Sequence, residues 1–168
     1  ISFLRLHKPE KFGDDLSALR PMLVTAQGEK DPIAGLEYGI AGYGLRGIVP
    51  VAYDGVFVGT FEIGFDLDIS LLEAFKQSQA SDISLFIYTP ESEEGSDFKL
   101  YVSTLTEPFV VSDAQRQQVI GGGEPMITQV DRGGEAFSVI SSPLIDHNGA
   151  IVGVIEVSAS RAAELARL

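Results

Sequence analysis

One pattern occurs twice in this chain. Residues 50–63 read Pro-Val-Ala-Tyr-Asp-Gly-Val-Phe-Val-Gly-Thr-Phe-Glu-Ile, and residues 143–157 read Pro-Leu-Ile-Asp-His-Asn-Gly-Ala-Ile-Val-Gly-Val-Ile-Glu-Val. From Gly55 and Gly149 onward the copies align without gaps through Val58/Val152, Gly59/Gly153 and Glu62/Glu156, 94 residues apart. Each copy reads as a β-hairpin: an apolar strand, an Asp/Asn/Gly turn, and a second apolar strand. A spacing that long is no solenoid period and points to two copies of one small domain. The predicted fold is α+β, with two tandem modules, residues 1–68 and 69–168, each an antiparallel sheet flanked by helices.

Composition excludes several functions. The 168 residues are 45% apolar and 21% charged, as in ordinary globular chains. A net charge of −12 has the wrong sign for a general nucleic-acid binder or for adhesion to anionic lipid. With no cysteine there is no disulfide, thiolate zinc site or covalent c-type haem. No apolar run approaches the roughly 20 residues of a membrane span, and no signal peptide is present. The chain opens at Ile1 in mid-strand character without a starting Met, as a piece of a longer protein would.

Local signals place the elements. Phe3–His7 alternates and reads as a strand. Asp14 or Asp15 can cap a helix from Leu16 to about Gln27, with Pro21 shortening or kinking its first turn. Gly35–Ile40 reads as a strand, Gly42 and Gly44 as a flexible corner around Tyr43, and Arg46–Tyr53 with Val56–Phe65 as the first hairpin. Asp68 or Ser70 caps a helix from Leu71 to about Gln79. Ile83–Tyr88 and Phe98–Ser103 read as strands around an acidic loop, Thr89–Asp97. Ser112 or Asp113 caps a helix ended by Gly121–Gly123. Met126–Asp131, Ala136–Ile145 and Ala150–Ser158 complete the second sheet, and Ser160–Leu168 restarts a helix. The two glycine clusters are flanked as turns, not as phosphate cradles.

The series Phe3-Leu-Arg-Leu-His-Lys-Pro-Glu-Lys-Phe-Gly-Asp-Asp-Leu16, Gly35-Leu-Glu-Tyr-Gly39, Leu45-Arg-Gly-Ile-Val-Pro50 and Gly59-Thr-Phe-Glu62 resembles the double Cache sensor domains of bacterial transmembrane receptors. Such domains occur in chemoreceptors, sensor histidine kinases and diguanylate cyclases. The resemblance implies two PAS-like modules hung on a long N-terminal helix that this chain lacks. It implies an extracytoplasmic, periplasmic location, a small organic ligand, attachment to the membrane through flanking helices, and a possible homodimer in the full-length receptor. A haem-carrying branch of related sensors uses Cys-x-x-Cys-His, from which this chain departs, so no cofactor is expected.

Six residues of the first module are candidates for ligand contact. Arg46, set between Leu45 and Gly47, can hold a carboxylate through two parallel hydrogen bonds, or pair with Glu37 or Glu62. Arg5 and His7 share one face of their expected strand and, by the resemblance, line a pocket. Tyr43 at the glycine corner, Glu37 and Glu62 complete the set. Glu62 and Glu156 recur at one place in both copies, which favours a structural task such as pinning the sheet to a loop. In the second module Lys99, Tyr101 and Ser103 share a face, a later strand carries Phe137 and Val139, and His147 lies in a hairpin turn; fewer polar groups are offered there.

The primary functional expectation is a binding module sensing a small polar ligand, most simply a carboxylate, without catalysis. Two alternatives stand beside it: a module sensing a periplasmic partner protein, and a small acid–base enzyme using Glu37 or Glu62. No His-x-x-x-His, Gly-x-Ser-x-Gly or Asp-rich metal loop completes a catalytic constellation.

Overall fold

The computed structural model describes residues 1–39, 42–90, 97–109 and 111–162. The chain divides into two compact units, Ile1–Asp66 and Leu67–Leu168. The first holds helix α1 (Pro21–Glu29) and a three-stranded antiparallel sheet, β1 (Ile33–Gly39), β2 (Gly42–Tyr53) and β3 (Val56–Asp66), in the order β1-β2-β3. The second holds α2 (Ile69–Gln79), β4 (Asp82–Tyr88), β5 (Phe98–Ser103), α3 (Asp113–Gly122), β6 (Met126–Arg132), β7 (Glu135–Ile145) and β8 (Ile151–Ser160). Its sheet runs β5-β4-β8-β7-β6, all antiparallel.

The repeated pattern forms equivalent hairpins. β2 and β3 join through Asp54-Gly55, both at positive φ (49° and 76°), the requirement of a primed two-residue turn. β7 and β8 join through a longer turn in which the Asp146 carboxylate accepts the amides of Asn148 (2.8 Å) and Ala150 (2.9 Å). The register slips in the same place in both. Pairing steps from Val51↔Gly59 to Ala52↔Phe57 in one hairpin and from Leu144↔Gly153 to Ile145↔Ile151 in the other. The extra residue is Val58 or Val152, which are matched in the sequence repeat, so the bulge belongs to the repeated motif. Glu62 then lies opposite Ile48, and Glu156 opposite Ser141.

Capping signals match two helices. Asp68 accepts the Leu71 amide at 3.1 Å and starts α2. Ser112 and Gln115 form a reciprocal capping box at α3, which Gly123 ends at positive φ. Two expectations fail. Phe3–His7 is no strand; Phe3 is 93% exposed, and Leu4 and Leu6 are also exposed. Alternation makes a strand only when a neighbouring strand takes its backbone hydrogen bonds, and no strand among the described residues pairs with this segment. The first helix begins at Pro21 rather than Leu16, because proline fits the first helical position, where no amide is needed. Asp14 is engaged elsewhere and cannot cap it. The glycine corner is also corrected: Gly42 begins β2, and Tyr43 and Gly44 lie inside it. Residues 91–96 of the acidic loop and 163–168 of the expected last helix fall outside the described residues, as do Ile40 and Ala41.

Each unit has its own core. In the first, Met22 and Ala26 of α1 pack on Ile48, with Leu23 and Ile33 at the margin. In the second, Val119 of α3 packs on Phe86, Phe98 and Val154, while Phe109, Val111 and Val139 form a neighbouring cluster. The outward face of the first sheet is apolar yet exposed, carrying Leu45, Val49, Val51, Phe61, Ile63 and Phe65.

Gly153 tests the repeat's packing. A Cβ placed there would meet the Phe86 carbonyl oxygen of the adjacent strand at 2.1 Å. Gly153→Ala is expected to cost about 1–3 kcal/mol of unfolding free energy in denaturant titration. Gly121→Ala, in a helix with nothing within 4 Å of the added methyl, is expected to cost nothing and to gain up to about 1 kcal/mol.

Candidate functional site

The sheet face beneath α1 carries a buried charge cluster. Antiparallel register and strand alternation place Glu37 (β1), Arg46 (β2) and Glu62 (β3) on this one face. Arg20, the residue just before α1, reaches down to it. Arg20 Nε donates to Glu37 Oε2 at 2.9 Å, and its terminal nitrogen donates to Glu62 Oε1. Arg46 lies 3.2 Å from each of the same two acids, through Nε to Glu37 and NH1 to Glu62. Glu37 is 1% exposed, and its second oxygen accepts the Met22 amide at 2.8 Å. The carboxylate of β1 thereby serves the N-terminus of α1, where Arg20 supplies no side-chain cap. A negative group there also answers the positive end of the helix dipole. Burial by itself would depress the Arg20 guanidinium; the hydrogen bonds and charges of Glu62 and then Glu37 outweigh it, and its pKa is raised.

The two arginines are not equivalent. Arg20 makes close hydrogen bonds to both acids. Arg46 approaches both at the long end of the range for charged pairs, and its Nε, buried, has no properly aligned acceptor among the described residues. Its surroundings are bare. Gly35 and Gly64 flank it in register on either side. A Cβ on Gly39 would stand 3.1 Å from Arg46 NH2, one on Gly44 3.5 Å from it, and one on Gly64 3.2 Å from NH1. Glycines on all three strands thus make a floor that leaves room for the guanidinium, which side chains on Gly39 or Gly64 would crowd.

The remaining candidates are elsewhere. Arg5 closes a loop: it donates to both oxygens of Asp14 (2.7 Å each), to Ser2 Oγ (3.0 Å) and to the Lys11 carbonyl (2.7 Å). His7 is exposed on that loop. The concavity beside it, about 610 Å³, is lined by apolar Ile1, Phe3, Leu4, Pro9 and Phe12. Tyr43 alternates to the opposite face of β2, edge-on to Tyr38 at 4.9 Å. A second depression, about 260 Å³, is lined by Ala34, Leu45, Arg46, Ile63 and Phe65. The structure therefore brings together Arg46, Glu37 and Glu62, and separates Arg5, His7 and Tyr43 from them. Sequence reasoning missed Arg20. Its one local signal is its position directly before Pro21 at a helix start.

The second unit repeats the pin and fills the rest. Glu156, matched to Glu62, accepts Arg116 Nε of α3 at 2.8 Å. Arg116, also missed in the sequence, pairs with Asp113 and stacks 3.7 Å over the Phe86 ring. By register, the places held in the first unit by Gly44, Arg46 and Glu37 are held here by Phe137, Val139 and Val130. Phe109, 4.8 Å from the Phe137 ring, and Val111 pack over them. The expected face of Lys99, Tyr101 and Ser103 does not exist: β5 bulges at Tyr101, so Lys99 and Ser103 fall on opposite faces. Ser103 bonds Ser84 at 2.8 Å. Among the described residues no group of acids and histidines is placed to hold a metal ion.

The family model described as the double sensory domain of two-component sensor kinase, dCache_3, matches residues 1–163. The chain belongs to this double Cache sensory family. The matched span takes in both units and both hairpins. Similar solved structures include a methyl-accepting chemotaxis protein X, at 15% identity and a TM-score of 0.42, which covers 90% of this chain. Another is the ligand-binding domain of the Pseudomonas aeruginosa PAO1 amino acid chemoreceptor PctC in complex with GABA, at 13% identity and a TM-score of 0.33, covering 82%. This double Cache chain spans 58% and 59% of the lengths of those two. No curated protein matches it. Among the described residues no helix is long and apolar enough to cross a membrane.

Two measurements follow from the cluster. Arg20→Met leaves Glu37 buried with its main counter-charge gone and is expected to cost about 3–5 kcal/mol in denaturant titration. Arg46→Met, which leaves both acids bonded to Arg20, is expected to cost clearly less. The loop gives a pH expectation. The Arg5 hydrogen bonds, then that of Ser2, hold the Asp14 carboxyl well below the usual range. Its contribution is present above the ordinary value of about 3.9 and is lost only as pH falls through the lower folded value. Carbon-detected NMR titration should find Asp14 still ionised where other aspartates protonate, and Arg5→Ala should move it up toward the ordinary range.

Proposed function

We propose that this double Cache chain is the extracytoplasmic sensor part of a transmembrane signalling receptor, and that its first unit binds a small polar ligand through a carboxylate held by Arg46. The observation that carries the reading is the contrast between the units. The same place in the same hairpin is a glycine-floored guanidinium in one and a packed Phe/Val cluster in the other. Arg46 is the more loosely held cation of a charge-balanced cluster, since Arg20 makes the closer bonds to both acids. A ligand carboxylate would give it the aligned, two-point partner it lacks. The positive end of α1 helps the site accept one more negative charge.

Signalling then follows from differential affinity. A carboxylate on Arg46 draws it from Glu37 and Glu62 and changes how α1 is tied to the sheet. Residues 1–68 are the membrane-distal module in this reading and residues 69–168 the membrane-proximal one. The exposed apolar face of the first sheet is where a long preceding helix would lie. In the full-length chain, apolar spans of about 20 residues should occur on both sides of this segment.

The test is a thermal-shift screen of small carboxylates against matched amides, followed by calorimetry of the hits. A carboxylate should raise the melting temperature and its amide should not. Arg46→Ala should weaken binding at least tenfold, consistent with the roughly 1.5–3 kcal/mol of a charged hydrogen-bond partner. A hit that binds Arg46→Ala as tightly as the parent would refute this site, and soluble flanks on both sides would refute membrane attachment.

A further inference from the structure

The two glutamates of the repeat are satisfied differently, and the residue opposite each changes accordingly. Glu62 has two arginines within reach, and Ile48 opposite it is apolar and fully buried. Glu156 has one. Arg116 takes Oε1, while Oε2, with the residue only 3% exposed, has no hydrogen-bond donor among the described residues. The residue opposite Glu156, in the place of Ile48, is Ser141. It is 0% exposed, and its hydroxyl too has no partner among the described residues. Paired register puts both side chains on the face beneath α3, where Val154 and Val139 also pack.

A buried acceptor left unmade costs about 1–3 kcal/mol, and more when it is charged. Burial raises the Glu156 pKa against the opposing pull of Arg116. On its other side Glu156 faces Ser84, whose hydroxyl is bonded to Ser103 at 2.8 Å, so an apolar residue at position 141 would remove the one neighbouring hydroxyl not already engaged. A serine opposite that oxygen that does not bond it directly serves it if something small bridges the two.

We infer that the second unit holds a water-sized site between Glu156 Oε2 and Ser141 Oγ, occupied by one internal water that donates to the carboxylate and bonds the hydroxyl. One internal water per roughly 27 residues is ordinary, and such waters sit where buried polar groups converge. The water replaces the second arginine of the first unit. It completes the tie between β7, β8 and α3 without adding charge, which suits an interior otherwise filled by Phe and Val side chains.

The experiment is a high-resolution crystal structure of residues 1–168 together with that of Ser141→Val, and thermal melts of both. Density for one water should appear at hydrogen-bond distance from both Glu156 Oε2 and Ser141 Oγ, and should be absent in Ser141→Val, whose melting temperature should fall. Should Ser141→Val not crystallise, water-to-protein NMR cross-relaxation at Ser141 in the parent chain is the second readout, and a long-lived water signal there is expected. The proposal is overturned if the site is dry, if Ser141 bonds Glu156 or a backbone carbonyl directly, or if Ser141→Val melts at or above the parent.

Discussion

The first unit depends on a single buried carboxylate. Glu37 sits on the edge strand β1 beneath α1, 1% exposed, and no isolated charge survives there. It is accommodated because three groups converge on it: Arg20, Arg46 and the Met22 amide at the start of α1. That convergence helps fix where the helix begins and how it lies on the sheet. Helix and sheet are tied by charge at one end and by Met22, Ala26 and Ile48 at the other. A tie made of shared ion pairs can be reset by another ion in a way a hydrophobic contact cannot.

The repeat shows how one hairpin serves two ends. Bulge, proline and glutamate recur, and in each copy the glutamate holds an arginine brought by a helix or its leading residue. What differs lies one rung away. Arg46 with its glycine neighbours keeps that place charged, while Val139 with Phe137 and Phe109 makes it apolar. The second unit has become chiefly a packed body with an internal polar rung, Ser103, Ser84, Glu156 and Ser141, running across its strands. The first has kept a cluster of paired charges at the matching place.

Much of the fold was legible because its signals are local. The Asp54-Gly55 turn, the Asp68 and Ser112 caps and the glycine stop after α3 each act within four residues, and all appear where the sequence predicts. The likeness to double Cache sensors was carried by short motifs and is upheld by the family match over residues 1–163. The failures are long-range. Phe3–His7 has the alternation of a strand but no partner strand among the described residues. Asp14 looks like a cap but is taken by Arg5, nine residues away. Arg20 and Arg116 carry no motif of their own; they are found only when a glutamate 42 or 40 residues further on is seen beside them. Of the six site candidates, register alone assembled Arg46, Glu37 and Glu62, because strand alternation is a local rule and loop position is not.

The central claim is that Arg46 on its glycine floor is where a ligand meets this molecule, while the matching place in the second unit is closed. Two-dimensional NMR of the isotope-labelled chain, with the arginine Nε–H signals and glycine amides assigned and a carboxylate hit titrated in, tests it most directly. The account predicts that Arg46, Gly39, Gly44 and Gly64 shift together and saturably, with Arg20 following and Arg116, Phe137 and Val139 unmoved. Saturable shifts centred on Arg116 or Phe137, with Arg46 and its glycines unchanged, would contradict it.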